Sequence, residues 1–138
     1  MNKPRLLRAV LATKIPYLRD NPEYLHLFVE DGAVVATSAS SLSYEYEYTL
    51  NLIAESYPGD QNILMAVIVH WLREHQPDIF ANPDSRRTGF TFDVNILNDA
   101  TADISIDLKL TERIVVTQQG DVSTVNAVPE PENPFDRW

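Results

Sequence analysis

Apolar and polar residues alternate along this chain with two different periods, and each change of period marks an element. From Asp60 to Gln76, DQNILMAVIVHWLREHQ, the apolar residues recur with a helical period. At 100° per residue Ile63, Leu64, Val67, Ile68, Trp71 and Leu72 fill one continuous sector, which Met65 and Val69 widen to roughly two-thirds of the circumference. Pro58-Gly59 breaks what precedes, Asp60 can cap the first turn, and Pro77 ends the helix because it has no N–H to donate. So wide a sector exceeds what one sheet needs. The helix is therefore expected to touch a sheet on one side and either the N-terminal helix or another subunit on a second. Asn62, Ala66, His70, Arg73 and Glu74 are left for water.

A second helix is expected from about Lys3 to Ile15, with Asn2 and Pro4 as cap and first turn, Leu6, Leu7, Val10 and Leu11 as buried stripe, and Pro16 as its end. Asp20-Asn21-Pro22 reads as a turn. Tyr24 to Glu30 and Ala33 to Thr37 flank Asp31-Gly32, a pair that tolerates positive φ, and so predict a hairpin. The period of two is clearest in LSYEYEYTLNLIAESY. There Tyr44, Tyr46, Tyr48, Leu50, Leu52 and Ala54 alternate with Glu45, Glu47, Thr49 and Asn51, so one sheet face is apolar and the other is open or meets a polar partner.

After the central helix, QPDIFANPDSRRTG is expected to be a loop. Phe90 to Ile96 and then Ile104 to Leu110 alternate again, and Ile114 and Val116 keep the same parity across Glu112. A strand running past ten residues is long for a small domain and has somewhere to project. Val122 to Val128 makes a short last strand. The fold class is α+β: a mostly antiparallel sheet of about five strands with two helices packed on one face, forming a single domain over residues 1–128. Residues 129–138, PEPENPFDRW, form a proline-rich extended tail. Its Phe135 and Trp138 are expected to fold back on the domain, to be simply disordered, or to belong to an arm that docks on a neighbouring chain.

Composition narrows the function classes. The 138 residues suit one domain, and the absence of Cys excludes disulfides and thiolate metal sites. No apolar run approaches the roughly 20 residues of a membrane span, and the start lacks a cleavage site, so a soluble, unprocessed chain is expected. A net charge of −9 disfavours wrapping nucleic acid, whose binding draws on clustered cations.

Candidate chemistry is sparse. HWLREH resembles an inverted zinc motif, but His70 and His75 stand five apart and point about 140° from each other, so no metal ligation is expected. His70 and Glu74 share a face as a solvent-facing pair, and His75 is expected to be structural. None of the four Gly residues frames a Ser nucleophile or a phosphate loop. Glu45 with Glu47, and Asp103 with Asp107, read as solvated strand faces, and Asn98, Asp99 and Asp103 do not fit a calcium loop. No catalytic residue and no cofactor are assigned. Arg86-Arg87 is the one compact basic feature, either solvated or paired with carboxylates of a neighbouring subunit.

The strings PYLRDNP, SLSYEYEYTLNL and HWLREHQPDIFANPDSRRTGFTFDVNILNDATADISIDLKLTERI resemble, in the same order, the tail completion protein R family of temperate contractile-tailed bacteriophages and their prophages. The likeness runs from about Lys3 to Pro131. It implies a non-enzymatic virion protein, assembled in the bacterial cytoplasm and added at the head-proximal end of the tail for joining to the head. The family is similar to tail terminators, which cap the tail tube as six-membered rings. The implied partners are like copies, tube and possibly sheath protein, and a head-tail connector or neck protein. DNA would slide through an acidic lumen, since six chains at −9 each give −54. Glu45 and Glu47 are candidates to face that lumen, and Arg86, Arg87, Phe135 and Trp138 candidates for subunit or partner contacts. The competing expectations are a monomeric adaptor or ligand-binding domain using the polar sheet face, and a small hydrolase using His70.

Overall fold

The alternating segments pair into one antiparallel sheet. A computed structural model describes residues 1–36, 42–119 and 122–129, with the side chains of 117–119 and 122–124 left aside. Helix α1 (Lys3–Lys14) and the one-turn helix α2 (Pro16–Asp20) precede strands β1 (Leu25–Ala36) and β2 (Tyr44–Tyr57). Helix α3 (Gln61–His75) and the short α4 (Pro83–Thr88) then lead to β3 (Phe90–Ile96), β4 (Ala102–Gln119) and β5 (Val122–Val128). The sheet order is β1-β2-β4-β3, and β5 also pairs with β4. Arg113 of β4 lies opposite Glu45 of β2 and also opposite Val128 of β5, so β5 shares the β4 edge that β3 uses at its other end.

The expected α+β class holds, and α1 and α3 contribute to one core with the sheet. The described residues nevertheless contain four α-helices, where two were expected. Pro16 ends α1 as foreseen but then occupies the first turn of α2, a position where its missing N–H costs nothing. The expected loop over residues 76–89 contains a 3-10 turn at Pro77–Phe80 and helix α4, whose Asn82 side chain accepts from the Ser85 N–H at 2.8 Å.

The predicted Asp31-Gly32 hairpin is instead a bulge. Both arms pair with β2, from Leu25 opposite Ala54 to Ala36 opposite Tyr44, and the register slips between Glu30 and Ala33. Asp31 takes φ 52°, the left-handed conformation the pair was chosen for. The conformation was legible, but the 14-residue β2 offers each arm a longer partner than the other arm could. A second bulge, at Ser56 (φ 50°), shifts the parity of β2 so that Tyr57 enters the core.

Leu7, Leu11, Leu50, Leu52, Leu64, Ile68, Leu72, Ile104, Ile106 and Leu108 form the fully buried centre. The wide apolar sector of α3 is explained in part by α1, which packs against it as well. Ile63 stays 55% exposed and Leu6, assigned to the buried stripe of α1, 45% exposed.

A polar node ties the layers together. Asn2 does not cap α1 with its side chain. The Glu112 carboxylate does so from β4, accepting the N–H groups of Asn2 (2.8 Å) and Lys3 (3.3 Å) on Oε1 and the Tyr48 hydroxyl (2.8 Å) on Oε2. A negative group at a helix N-terminus meets both unsatisfied donors and the positive end of the dipole. Next to it the buried Gln76 amide accepts from Lys3 Nζ (2.6 Å) and the Thr111 N–H (3.0 Å) and donates to Asp78 (2.6 Å) and Thr111 Oγ1 (3.0 Å). Gln76 thus satisfies β4 where neither β3 nor β5 reaches it.

Removing the carboxylate in Glu112→Ala leaves three donors without an acceptor and is expected to lower the unfolding free energy by about 3 kcal/mol, measured by urea denaturation. Burial, and then its hydrogen bond to Glu112, push the Tyr48 hydroxyl above the ordinary tyrosine value of 10.0. A raised folded-state pKa contributes stability that is whole below pH 10 and falls as pH rises above it. Wild-type stability is therefore expected to decline with a steeper slope above pH 10 than that of Tyr48→Phe, in denaturation curves taken across that range.

Candidate assembly surface

Three surfaces remain open once the core is closed. The first is the helix-free face of the sheet. Register places Glu30, Glu45, Glu47, Asp93, Asp103 and Asp107 on it with two cations, Lys109 and Arg113. Asn51 sits at its centre, its amide donating to Asp107 (2.8 Å) and Ser105 (3.1 Å), while Asp103 accepts the Ser56 N–H (2.8 Å) at the bulge. Glu47 is exposed, whereas Glu45 is half-buried and lies opposite Arg113. The face is acidic and hydrogen-bonded within itself, a poor surface for holding phosphate.

The second surface is the pair of sheet edges. β1 is one edge and β3 with β5 the other, and each carries apolar side chains in water: Val29, Val34 and Val35 on the first, Phe92, Ile96 and Val125 on the second. Phe92 and Ile96 have the parity of the core face, yet they are 57% and 76% exposed, while Phe90 and Val94 of the same strand pack against the core. The third is the far part of the sheet. β4 has 18 residues, about 60 Å at the rise of a strand, against about 22 Å for the 15 residues of α3. The ends of β1, β2, β4 and β5 therefore project past the helical layer as a flap. Long unblocked edges with apolar side chains are pairing sites for another chain.

Comparison with known proteins decides the family. The model of the family described as P2 phage tail completion protein R (GpR) matches residues 1–131. The chain is also 42% identical, over 134 residues covering 97% of it and 86% of the relative, to the tail completion protein R of Escherichia phage P2. The chain belongs to the tail completion protein R family. No solved structure matches it.

The other residues singled out from this tail completion family sequence divide clearly. Arg86 and Arg87 lie on α4, both exposed, and Arg86 Nε donates to the Phe80 carbonyl at 2.8 Å, which steadies the turn before the helix. Ser85 and Thr88 of the same helix line a cleft together with Glu47. Phe135 and Trp138 lie outside the described residues. His70 and Glu74 form the expected solvent-facing pair at 3.3 Å, and a similar pair joins His26 to Glu55 at 3.0 Å. His75 stacks on Trp71 with ring centroids 4.8 Å apart, a packing role. Among the described residues no group of three His, Cys, Asp or Glu could hold a metal ion, and no helix is long and apolar enough to cross a membrane.

The Glu112 and Gln76 node was not assigned from sequence. Its signal was present, since Glu112 interrupts an apolar parity that runs from Ile104 to Val116. A charged residue at a core position of a strand needs a buried partner. Breaking the exposed pair with His70→Ala is expected to change the unfolding free energy by no more than about 0.5 kcal/mol, measured by chemical denaturation, because exposed pairs contribute little.

Proposed function

We propose that this chain completes a phage tail by capping the head-proximal end of the tail tube as a six-membered ring, ending growth and preparing the tail to join the head. It does so by shape and self-association, with no bond made or broken. The observation that carries this reading is the disposition of the sheet: two open apolar edges on opposite sides of one acidic, helix-free face. Opposite edges cannot satisfy each other within one chain. Used head to tail between copies, they make a heterologous contact, which closes into a ring when the rotation allows.

In such a ring the helix-free face, with Glu47 and its neighbours, turns to the lumen and the helices turn outward. DNA then passes an acidic wall that does not retain it. Arg86 and Arg87, exposed on α4 at the border of that face, offer planar donors to carboxylates of the next subunit, of the tube or sheath below, or of the neck protein above. The relative's name, tail completion protein R, supports the tail and its virion as the place of action.

A second reading, a monomeric adaptor or ligand-binding domain, draws on a cleft of about 390 Å³ between the polar face and the α3–α4 connection, lined by Glu47, Thr49, Lys109, Gln76 and Asp78. The two separate in one experiment. Phe92→Lys with Ile96→Lys alters only exposed side chains and is expected to leave the denaturation midpoint nearly unchanged. The variant should fail to restore head-joined tails of normal length to a phage lacking the gene, while Lys109→Ala restores them. Normal tails without the product at all would overturn the assembly reading. Replacing both Arg86 and Arg87 by Ala is expected to reduce the ring fraction seen by light scattering of the protein mixed with tails, and unchanged assembly would remove them from the interface.

A further inference from the structure

We infer that the sheet runs on from one copy to the next: the first arm of β1, Leu25 to Glu30, pairs antiparallel with β3 of a neighbouring copy, helix side continuous with helix side. This rests on the ring reading above, to which it adds the strands that meet, their direction and their faces.

Each step of the order β1-β2-β4-β3 is antiparallel, so the two outer strands run in opposite directions. A copy turned about an axis along the strands keeps its own directions, and its β1 meets the first copy's β3 antiparallel. The same operation preserves the faces. Val29 lies opposite the buried Leu50, and Phe92 opposite the buried Ile106, so both have the parity of the helix-covered face. Side by side they continue that face without a break.

Level and length agree as well. Val29, Leu50, Leu108 and Phe90 stand in one row across the sheet, and Leu25, Ala54, Ile104 and Val94 in another. The arm and β3 therefore flank the same stretch of β2 and β4, six residues against seven. Edges at equal height let neighbours meet with little rise along the strands, which a closed ring requires and a filament does not. The register slip after Glu30 ends the arm, and the second arm stays with the flap.

The edges are also open to pairing. Neither strand carries the Lys or Pro that commonly blocks an edge, and among the described residues no further strand lies outside either. The Leu25 carbonyl accepts from Arg8 Nη2 at 3.1 Å, so the open stretch starts at His26. A two-fold pairing of β1 with β1 would leave Phe92 and Ile96 in water. Head-to-tail pairing brings Val29, 44% exposed, to the strand that carries Phe92, 57% exposed, and so covers apolar side chains of both edges at once. Because directions are kept, every flap stands on the same side of the ring.

The chain has no Cys, so paired substitutions report alone. Val29→Cys is combined in turn with Phe90→Cys, Phe92→Cys and Val94→Cys, then with Thr91→Cys, Asp93→Cys and Asn95→Cys. Protein assembled on tails is oxidised and run on non-reducing gels. Ladders of linked chains are expected from the first three, and at least tenfold weaker ones from the second three, whose side chains point to the opposite face. Equal ladders from both sets, or dimers from Val29→Cys by itself, overturn the inference. Rings seen by electron microscopy without links from the first set overturn it and leave the ring standing; tails without any ring overturn both. Hydrogen exchange of the wild-type chain needs no substitution. Alternate amides within 26–30 and 91–95 are expected to exchange at least tenfold more slowly on tails than in monomer isolated by dilution, and unchanged rates overturn the pairing.

Discussion

The start of α1 is held by a carboxylate from the opposite layer, and the arrangement of the layers follows from that bond. Glu112 sits where an apolar side chain would complete the core face of β4, and it replaces that side chain with an acceptor for two backbone donors and one phenol. A helix cap supplied by local sequence fixes only the helix. Supplied by a residue 110 positions away, it fixes the helix relative to the sheet. Gln76 does the same for the end of α3, and the two side chains meet through Lys3. Buried polar groups are tolerable only when every donor and acceptor is met, and here the Gln76 amide uses both its donors and both its acceptor sites.

With α1 and α3 so placed, the helical layer is narrow and short relative to the sheet. It covers β2 and β4 near their middle and leaves Phe92 and Ile96 of β3, and Val29 and Val34 of β1, largely to the solvent. Among the described residues no second layer buries the polar alternation on the other face. The open edges and the flap are therefore what remains of a sheet larger than its helices, and they leave apolar side chains in water.

Much of this was legible before any coordinates. The period of two over Tyr44–Ala54 and Phe90–Leu110 determines which side of each strand is buried, and Asp60 caps α3 as its position suggested, its side chain accepting from Asn62. Errors arose where local conformation and long-range pairing give the same local signal. Asp31-Gly32 has the conformation of a tight turn in a hairpin and in a bulge alike, and only the existence of β2 decides between them. Likewise Asn2 looks like a cap because Asn often is one, but its side chain makes no capping bond and Glu112 instead accepts the N–H groups of Asn2 and Lys3. Of the candidate surface, the acidic face could be read from parity. The exposure of Phe92 and Ile96 could not, because it depends on how far the helices extend.

β4 passes without interruption from the helix-covered core into the flap, and it is hydrogen-bonded to β2 from Ala102 to Ile114 along that route. A pull on the flap along the strand direction consequently loads that ladder in shear, with many bonds sharing the strain at once, and does not peel them apart one by one. The tip of the molecule is mechanically part of its centre, so a displacement imposed there is transmitted to the base of α1 through Glu112.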